Sequence, residues 1–374
     1  MKTVLLLVPS LGIGGQEKIA INTVRCLEEK YNVKMIIFQK KKVEYEYPCE
    51  VINLEIPTRN GVFKKILNQC RRISGIIKIR KKNRAYAVIS FGKTANITNV
   101  ISGIFSPGKS ISAVHGFAEV KKDLIMRIIM RLSNRVICIS KSMQEKLLSL
   151  FPTSKNTIVI ENGYDVNNIC ENLKETVEVN VLHPLIVSMG RLEEVKGFDR
   201  LIKAFAIAHK ERTDINLMII GQGSLFEKLQ DLSISEGVQD SVHFMGYQSN
   251  PHKFLKQSDI YVLSSRNEGF PNALIEALCC ELPIIALDCQ SGPREILSEH
   301  YTSSRTVGIV EEKYGVLVEE SSSEDLIIHY LAQAILSLLN DTEKMQIYRN
   351  LSIGRANQFN NDVYKEKIIS LIEE

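Results

Sequence analysis

Val4-Leu5-Leu6-Leu7-Val8, then Gly12-Ile13-Gly14-Gly15-Gln16-Glu17, then Ile19, Ala20, Thr23, Val24 and Leu27 at helical spacing, read as a buried strand, a glycine-rich turn and an amphipathic helix. The apolar run stops at Pro9 without a small-residue cleavage site, which favours a strand over a leader. The same pattern recurs. Short apolar runs at residues 33–38, 87–91, 111–115, 135–140 and 158–161 are separated by longer helix-patterned stretches. After a polar, patternless segment at 165–180 the series restarts at 185–189, 216–221, 242–245, 260–264, 284–288 and 315–318. Strand and helix in alternation predict parallel sheets wrapped by helices. Two such α/β units are expected: residues 1–165 and 185–356, a linker at 166–184, and a helix at 357–374 crossing back to the first unit.

A chain of 374 residues is too long for one ordinary core, and its 44% hydrophobic and 24% charged residues are typical globular values. No apolar run approaches the roughly 18 residues needed to span a bilayer. Eight cysteines show no Cys-x-x-Cys spacing, the seven histidines lie at no ligand spacing, and no Asp-x-Asp occurs. Reduced thiols in a cytoplasmic protein and no essential metal or other cofactor are expected. The net charge of +4 hides an asymmetry, because residues 61–147 hold 18 Lys and Arg against Glu119, Asp123 and Glu145. That region faces something anionic or is simply solvated by its lysines.

Ligands of parallel α/β sheets bind beyond the carboxyl ends of the strands, and two such edges facing each other would form a central cleft. Three stretches sit there. Gly12 to Glu17 lets backbone approach a ligand and offers helix amides to a phosphate, but a dinucleotide fingerprint would need a glycine at Glu17 and an acid after the second strand. Gly190-Arg191-Leu192-Glu193-Glu194-Val195-Lys196-Gly197 carries a planar guanidinium and a compact ammonium. These suit a diphosphate; the alternative is an exposed loop neutralised by Glu193 and Glu194. In Glu268-Gly269-Phe270-Pro271-Asn272-Ala273-Leu274-Ile275-Glu276 two carboxylates flank a helix N-terminus. They could hold sugar and ribose hydroxyls on either side of a phosphate, although the spacing alone is common in helices.

Taken together, and with Glu161-Asn162-Gly163-Tyr164-Asp165, Gly221-Gln222-Gly223 and Ala277, these stretches resemble the bacterial members of glycosyltransferase family four over nearly the whole chain and in the family's order. The resemblance implies the GT-B fold, two Rossmann-like domains with parallel sheets facing a central cleft, and sugar transfer with retention. It implies that Arg191 and Lys196 bind the donor diphosphate, completed by Gly15 and the amides of Ala273 and Leu274, with Gly14 and Asn272 also binding the donor. Glu276 would hold the ribose, Glu268 the transferred sugar, and Gly246 with Tyr247 the base. His115 would be the active-site histidine. Catalysis would rest on His115, Glu268, Arg191 and Lys196.

The implied partners are a nucleotide sugar, UDP rather than GDP from Ser291-Gly292-Pro293-Arg294-Glu295-Ile296, and a polyprenyl-diphosphate-linked saccharide of surface-polysaccharide synthesis. A non-hydrolysing UDP-sugar epimerase of the same fold is the alternative. Residues 62–78 project Val62, Phe63, Ile66, Leu67, Cys70, Ile73 and Ile77 onto one helix face and Lys64, Lys65, Arg71, Arg72 and Lys78 onto the other, while Arg127, Arg131 and Arg135 form a row. Peripheral attachment to the inner face of an anionic membrane is expected from this region, and nucleic acid is not, for want of an aromatic platform. Gln222 stands where relatives carry aspartate, and Tyr364 is expected to pack where they often carry tryptophan.

Overall fold

The computed structural model describes residues 1–11, 15–40, 48–57, 62–175, 181–320 and 322–374. The chain divides into two compact units, Met1–Tyr164 with Asn361–Glu374, and Asp165–Asn360. The first holds strands β1 (Thr3–Leu11), β2 (Asn32–Lys40), β3 (Glu50–Asn53), β4 (Ala87–Phe91), β5 (Lys109–Val114), β6 (Arg135–Cys138) and β7 (Thr157–Val159). All are parallel, in the order β3-β2-β1-β4-β5-β6-β7. The second holds β8 (Leu185–Met189), β9 (Asn216–Ile220), β10 (Val242–Gly246), β11 (Ile260–Leu263), β12 (Ile284–Leu287), β13 (Ile309–Glu312) and β14 (Gly315–Val318). Their order is β10-β9-β8-β11-β12-β14-β13, parallel except for the antiparallel edge strand β13. Strand order thus reverses between β1 and β4 in one unit and between β8 and β11 in the other. These are the Rossmann-like switch points, where adjacent loops splay apart and leave a crevice.

The uninterrupted apolar run of β1 follows from helices on both faces of its sheet. Val4, Leu6 and Val8 pack with Ile19, Val24, Ile368 and Leu371, whereas Leu5 and Leu7 point the other way onto Phe38, Ile76 and Val88. Helix Asn361–Glu373 lies on helix Gly15–Leu27, with the Tyr364 hydroxyl 2.7 Å from Thr23 Oγ1. Gly163 permits this approach, since a Cβ there would sit 2.6 Å from that of Tyr364.

Four expectations need correction. The linker expected at 166–184 opens with a helix: Val166–Asn172 buries Val166 and Ile169 and belongs to the second unit, while residues 176–180 lie outside the described residues. The final stretch is not one helix: Asn357–Phe359 forms a 3-10 turn that belongs with the second unit, and the helix starts at Asn361. In helix Val62–Lys82 the buried stripe is Asn68, Arg72, Ile76 and Arg80, while Ile66, Leu67 and Cys70 are exposed; the side chains of Val62 and Phe63 lie outside the described residues. Arg72 donates to Ile56 O at 2.9 Å and lies 4.4 Å from the Phe38 ring centre. Arg80, fully buried, donates to Asn99 Oδ1, Pro107 O and Gly108 O, so the cost of burying its charge is met by fixed acceptors. The row of arginines is also broken. Helix Leu124–Leu132 stops short of Arg135, which opens β6 and binds Glu374 at 3.0 Å.

Candidate functional site

In the second unit the loop after β8 and the loop after β11 meet across the switch point. Gly190 to Gly197 turns back on itself because Gly221 and Gly223 leave room for it: a Cβ on Gly221 would lie 1.8 Å from Gly190 O, and one on Gly223 2.4 Å from Leu192 O. Gly197, in the left-handed region at φ 64°, closes the turn against Ser264 O, 2.1 Å from where its Cβ would be. Arg266 clamps the two loops. Its guanidinium donates to Glu194 O at 2.9 Å, to both Asp199 oxygens at 2.7 Å and to Glu324 at 2.8 Å. Although burial works against it, this fork holds the Asp199 carboxyl below its ordinary value.

The clamp brings Lys196 and Glu268 together. Lys196 Nζ donates to Glu268 Oε1 at 2.6 Å, and Ser265 Oγ donates to the same oxygen at 2.7 Å. Glu268 is nearly enclosed, its side chain 9% exposed. Arg191 stays outside this cluster, donating instead to Glu193 Oε1 at 2.8 Å, as the neutralised-loop alternative required. Helix Asn272–Cys279 begins four residues after Glu268, with Pro271 at its cap and no side-chain bond there. Its first-turn amides point back along the axis toward that loop. The Leu274 amide, expected on a phosphate, donates to Pro271 O at 3.1 Å. Glu276 Oε2 lies 3.3 Å from His252 Nε2, a partner that no spacing in the sequence announced. Gly246 ends β10 at φ 65°, its carbonyl accepting from Gly221 N at 2.8 Å, and Tyr247 beyond it is exposed.

The corresponding edge of the first unit is built differently. Gly14 lies outside the described residues, and Gly15 is the first residue of helix Gly15–Leu27. His115 follows β5 and stacks on Phe91, ring centres 5.3 Å apart. Its Nε2 is buried and has no hydrogen-bond partner among the described residues. Burial lowers its pKa to about 4, so the ring is neutral at pH 7. Four residues on, Glu119 Oε1 accepts from Gln16 Nε2 at 3.0 Å, while Oε2 is buried without a partner. Burial raises the Glu119 pKa. Gln16, Ser265, His252 and Arg266 escaped sequence reasoning because a polar side chain gains a role only from its neighbours. Arg266, two residues before Glu268, was the one visible signal.

The two halves match two family descriptions. Residues 13–168 match the model for Glycosyltransferase Family 4, and residues 171–352 that for Glycosyl transferases group 1. The chain is 25% identical over 364 residues to the N-acetylgalactosamine-N,N'-diacetylbacillosaminyl-diphospho-undecaprenol 4-alpha-N-acetylgalactosaminyltransferase of Campylobacter jejuni, covering 94% of this chain and 93% of that protein. It is 26% identical to the lipopolysaccharide 1,6-galactosyltransferase of Salmonella typhimurium over 57% of this chain and 60% of that one. Among solved structures, Anabaena HepE in complex with UDP superposes with a TM-score of 0.78 at 18% identity, over the full length of both chains.

Proposed function

This chain belongs to the family-four glycosyltransferases of GT-B fold, and we propose that it moves a hexose or N-acetylhexosamine from UDP to a hydroxyl of a lipid-linked saccharide, with retention. One observation carries the donor half: a cation suited to phosphate and a carboxylate suited to sugar hydroxyls, from separate loops, meet 2.6 Å apart at the switch point. Lys196 and Arg191 neutralise the diphosphate as it leaves, without a metal. Because Lys196 is already placed, this electrostatic stabilisation costs little reorganisation during the reaction. Glu268 takes hydroxyls of the transferred sugar, Glu276 the ribose, the Ala273 amide a phosphate oxygen, and Gly246 with Tyr247 the base. The bond from the anomeric carbon to the phosphate oxygen breaks, the acceptor hydroxyl attacks on the same face, and its proton passes to the leaving phosphate. Neutral His115 accommodates the sugar without adding charge.

UDP is preferred on the stretch Ser291 to Ile296, whose Ser291 Oγ donates to Gly269 O at 2.5 Å and so braces the Glu268 loop. The acceptor class follows the Campylobacter relative, whose name specifies a diphospho-undecaprenol-linked saccharide. Membrane attachment rests on exposed Lys64, Lys65, Lys121, Lys122, Arg127 and Arg131 together with exposed Ile66, Leu67, Leu124 and Ile125, a mixture suited to an anionic lipid interface. Among the described residues no helix is long and apolar enough to cross a membrane. Thermal shift with a panel of nucleotide sugars, followed by product analysis, tests the reading, since a bound donor raises the midpoint by mass action. Free UDP formed one for one with glycosylated prenyl-diphosphate acceptor is the expected result; an altered nucleotide sugar without free UDP indicates an epimerase and overturns it.

A further inference from the structure

Resting on the transferase reading, we infer that Glu119 contacts substrate, its Oε2 accepting a hydrogen bond from a sugar hydroxyl while Gln16 holds the carboxylate in position. A buried polar oxygen without a partner costs stability, and a residue kept only to shape the turn Phe117–Glu119 would not need one. Glu119 also lies at the right place. Gln16 follows β1, Gly92 follows β4 and His115 follows β5, so this group borders the β1/β4 switch point. Gly92 leaves room for Gln16: at φ 86° it favours glycine, and a Cβ there would sit 3.1 Å from Gln16 Oε1.

The chemistry selects the ligand. Neutral His115 Nε2 and Glu119 Oε2 are both buried and unpartnered, and neither offers positive charge to a phosphate. Lys93, whose charge acts on Glu119, is paired with Asp123. Lys146, from helix Lys141–Leu150, lies over the Phe117 ring at 3.9 Å. A carboxylate repels a diphosphate and accepts readily from a hydroxyl, so this edge takes the neutral, hydroxyl-rich part of a substrate. That part is either the transferred sugar of the donor or the acceptor sugar.

The test compares wild type with Glu119→Gln, using UDP-glucose, UDP-galactose and UDP-N-acetylglucosamine as donors. UDP release is measured in water alone and with a synthetic prenyl-diphosphate-linked N-acetylglucosamine, alongside calorimetric affinity for UDP. UDP binding should be unchanged while kcat/KM falls roughly 10- to 100-fold, the loss expected for one hydrogen bond to a charged group. The acid limb of the wild-type pH profile, where Glu119 takes up its proton, should be absent from the variant. A fall in both arms assigns the donor's hydroxyl; a fall only with the saccharide assigns the acceptor's. Gln16→Ala, which leaves Glu119 unoriented, should give the same split to a smaller degree and serves if Glu119→Gln does not fold. Unchanged constants in both arms, or an equal loss of UDP affinity, overturn the inference with the transferase reading intact. A wild type releasing no UDP from any donor overturns that reading and this one with it.

Discussion

The two switch-point edges share a topology and solve opposite problems. At the β8/β11 edge polar groups are paired with one another: Lys196 with Glu268, Glu276 with His252, Arg191 with Glu193. At the β1/β4 edge His115 Nε2 and Glu119 Oε2 are buried with nothing to bond. On the proposed reading the β8/β11 edge takes the diphosphate, and there Lys196 and Glu268 stand poised against each other, where a ligand can exchange one partner for another. On the same reading the β1/β4 edge takes neutral hydroxyls, and its bare acceptors carry a cost in the free protein.

Breaking the paired edge should have the largest effect. Lys196→Ala removes a cation assigned to the leaving diphosphate and takes away the ammonium paired with Glu268, and kcat/KM should fall about 10³-fold with a lower melting midpoint. A steady-state loss below tenfold would contradict the assignment. Next, Glu268→Ala should lower kcat about 10²-fold, whereas Glu276→Ala should weaken UDP about tenfold and leave kcat nearly intact. Calorimetry with UDP separates these, and equal losses of affinity would merge the two roles.

The unpaired edge should answer to pH. A histidine depressed to about 4 by burial takes a proton more readily when unfolded, so its contribution is intact above 6.5 and is lost as pH falls toward 4. Urea midpoints across that window should drop less for His115→Leu than for wild type; parallel curves would mean that His115 is not the depressed group. The smallest effect is also the most diagnostic. At pH 7.5 His115→Leu should gain up to about 1 kcal/mol of stability while losing transfer, because an unpartnered buried nitrogen disappears. A clear loss of stability would show the two edges to be alike.

Twelve strands were legible from their apolar runs, and β3 and β13 were not. Both are short edge strands, half-exposed, and owe their conformation to the neighbour they pair with. Helix Val62–Lys82 misled for a related reason. Its most apolar face by projection is partly solvated, because Phe38, Asn99 and the carbonyls of Ile56, Pro107 and Gly108 receive the arginine stripe instead.

By itself the sequence determined the alternation of strand and helix, the restart that makes two units, and which loops hold charge beside glycine. These are properties of consecutive residues, read from periods of two and of 3.6. Only the tertiary structure decided which charge meets which. Lys196 finds Glu268 across 72 residues, Glu119 finds Gln16 across 103, and Oε2 of Glu119 finds no partner among the described residues. A hydrogen bond is settled by distances of a few ångströms, and no local pattern carries that information.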